Sequence, residues 1–176
     1  MEYDNNGIRR QDRLLDKENA YALLRTGEYG ILSMVGEEGE SYAVPVNYAW
    51  DCENAIYIHC APQGRKLRCI ALHPRVSFCV VGRTHVVSRK FTTGYESIIL
   101  TGHARTCLPA EERMQALRLI LEKYAPNDLE TGLKYAEKSF RRTEIIRIDL
   151  ESMSGKCKRV NFCITYTKHS ATTGTP

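Results

Sequence analysis

The alternation of apolar and polar positions along the chain predicts several short strands. Ala55–Cys60 alternates between a face of isoleucines and a face bearing a tyrosine and a histidine, the period expected of a strand. Val76–Val81 is a nearly continuous apolar run, which predicts a strand buried on both faces. The remaining predicted strands are Tyr29–Val35, Ser41–Trp50, Tyr95–Cys107 and Glu144–Leu150. We therefore predict six strands.

The turns between the first strands indicate how they are connected. Gly36–Glu40 is glycine-rich and predicts a hairpin loop, because glycine supplies the positive φ angles of tight turns. Asp51–Asn54 predicts a second turn. The first three strands are thus expected to form an antiparallel meander.

Helical spacing appears in three further segments. Lys17–Thr26 follows Asp16, a good N-cap residue, and is stopped by Gly27. Ala110–Tyr124 follows a proline and has acidic residues in its first turn. The buried stripe of this helix is predicted to consist of Met114, Leu117, Ile120 and Leu121. A last helix is predicted over Leu129–Phe140.

A short basic helix is predicted between the strands Ala55–Cys60 and Val76–Val81. Ala61–Gly64 breaks the first strand, and Arg65–Leu72 then has apolar residues at helical spacing. The inward-facing residues are predicted to be Leu67, Ile70 and Ala71. His73-Pro74 ends the helix, because the residue before a proline is pushed out of the α region.

The first turn of this helix carries Arg65 and Lys66, directly after Gly64. A helix N-terminus is the positive end of the helix dipole, so cations are disfavoured there. An anion bound at the site, such as a phosphate, would reverse the sign of this interaction. The alternative interpretation is an ordinary solvated helix face, and the local residues alone favour neither.

Three other positions interrupt their segments. Pro45 lies inside a predicted strand, which indicates an edge strand, a bulge or a ligand against the backbone, the edge being the simplest. Gly82–Gly94 is polar and long enough for a functional loop. Gly102 predicts a bend or bulge in its strand.

The six short strands, the helix between two of them and the late pair of helices predict one α+β domain, an antiparallel barrel with helices outside it. The chain has 176 residues and a formal net charge of +4, with its basic residues spread out, so nucleic-acid binding is not indicated. No segment has the apolar length of a membrane span, and the N-terminus lacks signal-peptide character. We expect a cytoplasmic protein whose tail from Lys168 is disordered.

The seven cysteines form an odd set without a C-x-x-C pair. This pattern is typical of reduced thiols that serve as small apolar residues, not of disulfides or a zinc site. His59 and Cys60 are adjacent in a strand and so point to opposite faces, which prevents them from binding one metal together. We expect no metal site.

The order of these motifs resembles the FMN-binding split-barrel family that includes pyridoxamine 5′-phosphate oxidase. The likeness is carried by YAVPVNYAW, IYIHCAPQGRKL, HPRVSFCVV and FTTGYESIILTGHAR, and the chain is most similar to the nitroimidazole-resistance branch. The resemblance implies a six-stranded antiparallel split β-barrel with flanking helices over residues 29–156. Residues 1–28 would form a helical segment packed on the barrel, and residues 157–176 a partly disordered extension.

The resemblance also implies a flavin site, with FMN as the cofactor and FAD as the alternative. The phosphate would be held after Gly64 by Arg65 and Lys66, and the flavin ring would lie against one strand. The ring-lining residues would be Val44, Pro45, Val46 and Asn47. The segment His59, Cys60 and Ala61 would run beside the phosphate and ring. Tyr95 and Ser97 match the family's Y-x-S-x-I strand, which would approach the flavin of the partner in a homodimer.

His59 is the candidate catalytic residue, since histidine titrates near neutral pH and could donate a proton to a small-molecule substrate. The favoured alternative is a half-buried strand histidine bonded to its neighbours. Some similar proteins of the nitroimidazole-resistance branch have a histidine where this chain has Arg65, a difference that bears on nitroreduction.

Three functions are compatible with this resemblance. The first is a flavin-dependent oxidoreductase that reduces a nitro group or a similar small acceptor. The second, a vitamin B6 oxidase, is disfavoured because Glu96–Ile99 replaces the family's R-Q-V-R segment. The third is a non-catalytic binder of flavin or haem, for which His169 in the polar tail is a poor candidate ligand.

Overall fold

The computed structural model describes residues 1–160. Within them, eight strands form one sheet that is antiparallel except where β1 joins β8. The strands are β1 (Glu2–Tyr3), β2 (Gly30–Val35), β3 (Ser41–Val46), β4 (Ala49–Trp50), β5 (Ala55–Cys60), β6 (Arg75–Val87), β7 (Thr92–Arg105) and β8 (Glu144–Lys158). The α+β class is confirmed. The count of six strands becomes eight because β1 was not predicted and the predicted strand Ser41–Trp50 is divided into β3 and β4.

Four α-helices flank the sheet in this part of the chain. They are α1 (Lys17–Thr26), α2 (Arg65–Leu72), α3 (Ala110–Tyr124) and α4 (Leu129–Ser139). The first three have the predicted bounds, and α4 ends one residue earlier than predicted. Local signals explain this accuracy, since Asp16 caps α1 and His73-Pro74 follows α2.

A two-residue bend in the chain brings the two ends of the sheet together. The strand order is β3-β2-β6-β7-β8-β5-β4, so that β3 and β4 lie at opposite ends of the path. Only Asn47 and Tyr48 separate these two strands in the chain, and the ends of the sheet must therefore meet. The predicted strand Ser41–Trp50 is thus wrong as one strand, and so is the meander, because β3 pairs with β2 while β4 pairs with β5.

Two predictions for β6 and β7 are corrected. The run Val76–Val81 is not buried on both faces, since its side chains alternate and Val81 is 44% exposed. The predicted loop Gly82–Gly94 is largely the two arms of a β6–β7 hairpin, with a short 3₁₀ turn at its tip. Its first arm is mostly exposed and its second arm half-buried, so neither shows the apolar alternation that is the usual signal for a strand.

The barrel interior is the main core. Its largest fully buried side chains include Tyr48, Phe78 and Ile98, and the ring of Tyr48 meets that of Phe78 edge to face. A second apolar cluster lies between α3, α4 and the strands β5 and β8. In α3 the buried residues are Ala116, Leu117 and Ile120, while the predicted Met114 and Leu121 are partly buried. In α2 the buried pair is Cys69 and Ile70, and the predicted Ala71 is exposed.

β7 and β8 carry the bulge predicted at Gly102. The register between the two strands shifts between Thr101 and Gly102. A Cβ atom on Gly102 would lie 2.2 Å from the carbonyl oxygen of Asp149, so that only glycine allows this close approach. No helix among residues 1–160 is both long enough and apolar enough to cross a lipid bilayer.

Candidate functional site

The first turn of α2 opens directly from a glycine in an unusual conformation. Gly64 has φ = 147°, and its carbonyl accepts hydrogen bonds from the N–H groups of Leu67 (3.2 Å) and Arg68 (3.3 Å). No side chain among the described residues caps this helix. A Cβ atom placed on Gly64 would meet nothing within 4 Å. The free N–H groups that every helix start presents are therefore open to a ligand here.

The end of β5 lies beside this turn, and Lys66 connects the two electrostatically. Burial is the main cause that lowers the pKa of His59, and the positive charge of Lys66 lowers it further. Burial raises the pKa of the Cys60 thiol, and the same lysine partly opposes that effect. Lys66 thus lies near enough to His59 and Cys60 to influence the pKa of each, while the placement of these residues beside a flavin stays a prediction.

Arg65 is directed toward a different neighbour. Its guanidinium donates to the carboxylate of Glu40 and lies 4.1 Å from the centroid of the Tyr42 ring. The two adjacent cations therefore interact with different parts of the protein. Lys66 acts on the end of β5, whereas Arg65 contacts β3 and the loop before it. No sequence pattern indicates this role of Glu40, which is 25 positions away from its partner.

β3 is an edge strand, as the simplest interpretation of Pro45 predicts. It is the terminal strand of the sheet path, and Pro45 lies opposite Ile31 of β2. Val44 and Val46 are partly buried and pack against the core, whereas Pro45 is exposed. Pro45, Val46 and Asn47 share a cavity of about 420 Å³ with Glu28 and Tyr29. The strand predicted to lie against a ring thus has one unpaired edge.

The bend at Asn47 and Tyr48 is fixed by Tyr124, the last residue of α3. The Tyr124 hydroxyl accepts from the Tyr48 N–H (3.0 Å) and lies within donating distance of two carbonyl oxygens, those of Glu28 (2.6 Å) and Tyr48 (2.9 Å). The side-chain amide of Asn47 donates to the same Glu28 carbonyl at 3.0 Å. Sequence reasoning missed Tyr124, whose position at a helix end carried no sign of this contact.

Lys123 is a second residue near the bend that the sequence did not single out. Its Nζ lies 3.7 Å from the centroid of the Tyr48 ring and has no hydrogen-bond partner among the described residues. Burial lowers the pKa of Lys123 to about 8. The ring face of Tyr48 thus takes the place of a polar partner for this ammonium group.

Tyr95 and Ser97 lie on β7, three places from β3 in the sheet order. Tyr95 lines a cavity of about 620 Å³ together with Arg83, His85 and Lys158. Ser97 pairs with Val81 on one side and with Lys156 on the other. The structure therefore brings together the predicted residues of β5 and α2 and places those of β7 elsewhere in the chain.

Other predicted features can be placed as well. The six cysteines among residues 1–160 are unpaired, and Cys163 and His169 lie outside the described residues. The same holds for the tail from Lys168. In the described part of the chain, no group of three or more histidine, cysteine or acidic residues could hold a metal ion.

The fold and its site define a class of protein, an antiparallel barrel with an unpaired seam and a cationic helix start beside its edge strand. The sequence profile of the pyridoxamine 5′-phosphate oxidase family matches residues 16–157, most of the chain. The chain belongs to the pyridoxamine 5′-phosphate oxidase family. A search of curated proteins finds no match.

Solved structures with the same fold are similar over most of the chain. A candidate 5-nitroimidazole antibiotic resistance protein from Bacteroides thetaiotaomicron superposes with a TM-score of 0.70 at 20% identity, covering 82% of this chain and 86% of the other. The FAD and haem binding protein from Mycobacterium smegmatis gives 0.69 at 17% identity, covering 85% and 75%. A flavocytochrome from Azotobacter vinelandii gives 0.68 at 18% identity, covering 82% and 68%.

Proposed function

We propose that this protein is a flavin-dependent oxidoreductase of the nitroimidazole-resistance type, which binds FMN and reduces a nitro group or a similar small acceptor. The observation that carries the proposal is the open start of α2, where Gly64 leaves the backbone accessible and Lys66 sits beside the end of β5. Family membership and the likeness to a candidate nitroimidazole resistance protein support it.

The residues at this site suit a flavin phosphate. A phosphate dianion at the start of α2 would accept from the free N–H groups of the first turn and meet the charges of Lys66 and Arg65. The exposed edge of β3 would lie along the flavin ring, where Pro45 can lack an N–H without breaking a strand pair. When bound, a flavin supplies hydride or single-electron transfer, which no side chain can supply.

His59 would face the same site from the end of β5. Its lowered pKa keeps the imidazole neutral at neutral pH, so that it would donate a hydrogen bond rather than carry a full positive charge. His59 would therefore mainly orient a bound acceptor through a hydrogen bond, and would donate a proton to it only in a second role.

A second copy of the chain would complete the site. The outer face of β6 and β7 carries Val81 and Ile99, 44% and 48% exposed, on the same side as Ser97. Adjacent exposed apolar residues on a sheet are typical of a protein interface. Covering this face with a partner would bring Ser97 to the partner's flavin, in a homodimer with two sites.

The first experiment identifies the cofactor of the purified protein. We expect a yellow protein with flavin absorption, from which mass spectrometry of the released cofactor identifies FMN. Release of FAD would instead point to the cavity lined by Arg83 and His85 as the place for an adenine group. A red protein with a Soret band would support a haem carrier, the alternative suggested by the names of two similar structures.

The second experiment tests catalysis. The flavin is reduced without oxygen, and a 5-nitroimidazole is added. Reoxidation faster than that of free reduced flavin supports the enzyme, whereas reoxidation no faster than free flavin indicates a non-catalytic carrier. Pyridoxamine 5′-phosphate is added separately, as an electron donor, to the oxidised flavin protein without oxygen. Bleaching of the flavin would support the vitamin B6 oxidase, which Glu96–Ile99 disfavours.

A further inference from the structure

Two carboxylates from one hairpin loop lie against the basic helix. The loop between β2 and β3 carries Glu37, which accepts from Nε of Arg68 with both oxygens (2.9 and 3.0 Å). It also carries Glu40, which accepts from Arg65. Arg65 and Arg68 are one helical turn apart, so that the loop docks along one face of α2.

Glu40 is held in place by its own loop rather than by Arg65 alone. Its Oε2 accepts from the N–H of Glu38 at 3.0 Å, and its carbonyl accepts from the N–H of Gly36 at 2.6 Å. A Cβ atom on Gly36 would lie 1.9 Å from Oε1 of Glu40, so that the carboxylate occupies the space that a larger residue would fill. Hydrogen bonds from its own backbone and from Arg65 lower the pKa of Glu40, which therefore stays ionised at neutral pH.

Arg65 is consequently matched with a counter-ion before any ligand arrives. Its guanidinium is bounded by the Glu40 carboxylate and by the ring of Tyr42. Lys66, by contrast, has no carboxylate partner within the described residues. An incoming phosphate would meet a free cation at Lys66 but a neutralised ion pair at Arg65.

We propose that Glu40 is a specificity-determining residue of the α2 site, an internal counter-ion that limits how strongly the site prefers phosphate-bearing flavins to phosphate-free ones. The inference rests on the proposed function, because it concerns the same phosphate position. A phosphate at the start of α2 must share Arg65 with Glu40 or displace it, while riboflavin has no phosphate and is indifferent to this charge.

The test compares FMN with riboflavin by equilibrium dialysis at low salt. In Glu40→Gln we expect FMN to bind about threefold to tenfold more tightly, because Arg65 loses its counter-ion and can pair with the phosphate alone. Riboflavin affinity should stay within about a factor of two of the wild type, because it lacks the group that Glu40 opposes. The gain for FMN should shrink at high salt.

Three further proteins test whether the effect depends on the position of the Glu40 carboxylate and on Arg65. Glu37→Gln is the matched control, as it removes the same charge from the same loop but frees Arg68 instead. Gly36→Ala keeps the charge and displaces the Glu40 carboxylate, so it should also strengthen FMN binding. The effect of Glu40→Gln should vanish in a protein that also carries Arg65→Ala.

Each outcome has a definite meaning. An equal gain in Glu37→Gln, or weaker FMN binding in Glu40→Gln, would overturn the role given to Glu40 while leaving the flavin site in place. If neither flavin binds the wild type or any variant, the proposed function fails, and the role of Glu40 fails with it.

Discussion

Helix α1 begins with a carboxylate that caps it, whereas helix α2 begins with a glycine followed by two cations. Asp16 accepts from the backbone N–H of Asn19 at 2.9 Å and from its side-chain amide at 2.7 Å. Gly64 offers no side chain, and the first turn of α2 has no acidic residue. The chain thus satisfies the start of α1 with its own atoms and leaves that of α2 for an anion from outside.

The difference between the two helix starts separates stability from binding. A capped start should contribute to folding and be indifferent to flavin, while an open cationic start should contribute to flavin binding and little to folding. Variants at the two sites can therefore be compared by two measurements, the melting temperature and the dissociation constant for FMN.

The largest effect is expected for the double variant Arg65→Ala and Lys66→Ala. Loss of two charge-assisted contacts to a phosphate should weaken FMN binding by at least about 100-fold. The melting temperature of the flavin-free protein should be unchanged or slightly higher, because cations leave a positive helix end. Flavin-fluorescence titration and thermal melts measure the two quantities.

Arg68→Ala is the control for this variant, since it removes a cation from the same helix that is paired with Glu37. Its FMN affinity should stay close to that of the wild type. Full retention of cofactor by the double variant would refute the phosphate assignment.

The next effect is expected for Gly64→Ala. The space for a methyl group is open, so the cost arises from the backbone at φ = 147°, where other residues are strained by about 1–3 kcal/mol. Both the unfolding free energy and the FMN affinity should fall. Urea titration measures the first, with Gly7→Ala as a control, because that glycine is also open but has no left-handed backbone. An unchanged unfolding free energy would contradict the described start of α2.

A smaller effect is expected for Asp16→Ala at the capped helix. Loss of the cap should lower the melting temperature by about 2–4 °C and leave FMN binding unchanged. Hydrogen bonds from Asn19 lower the pKa of Asp16 below 3.8, so the cap stabilises fully above that pH and is lost as the pH falls through the lower folded value. The difference between variant and wild type should therefore disappear in acid. Weaker flavin binding in this variant would contradict the claim that the start of α1 contributes to stability alone.

The smallest effect concerns the charge of Lys66 and can be measured without flavin. Because Lys66 contributes to the lowered pKa of His59, Lys66→Met should raise that pKa part of the way toward 6.5. Arg65→Met should leave it unchanged, since Arg65 is paired with Glu40. An NMR titration of the histidine ring measures both. Equal shifts in the two variants would show that the cations are not divided between different neighbours.

The pKa of His59 also has a consequence for stability. The folded value lies below the unfolded 6.5, so the unfolded chain binds more protons between the two and stability rises with pH across that window. Above the unfolded value the contribution is constant. His59→Gln should remove this rise, which melts recorded at a series of pH values can follow.

The helices were predictable because the residues that begin and end each helix lie next to it in the sequence. Asp16, Gly27 and His73-Pro74 act on the residues next to them, and α1 to α3 have the predicted bounds. The inward face of α2 was misjudged at Ala71, since small residues fit either face and the buried position is taken by Cys69.

The strands were less predictable because their pairing is decided far away in the chain. Nothing near Asn47 indicates that the segment leaves β2 and joins β5, since that depends on closure of the whole barrel. The two arms at the tip of the β6–β7 hairpin lack the apolar alternation that predicts a strand. The pattern of elements predicted an antiparallel barrel, and the family resemblance specified a split barrel.

The sequence predicted which segments form the candidate site, but not the distant side chains that contact those segments. The junction of β5 and α2 could be placed from His59, Gly64 and Lys66, because they are neighbours in sequence. Glu40 and Tyr124 could not, since each reaches the site through tertiary contacts across 25 and 76 positions. Long-range contacts of this kind leave no local pattern.

The position of β8 has a consequence for how the protein can be made. This strand comes after all the others in the described chain, yet it lies between β7 and β5 and also receives β1. A nascent chain therefore holds two incomplete half-sheets, with exposed edges, until the residues up to Lys158 leave the ribosome. Synthesis that stalls before that point would yield aggregation-prone intermediates. A chain truncated within β8 should be bound by chaperones or degraded by proteases rather than form a smaller functional barrel.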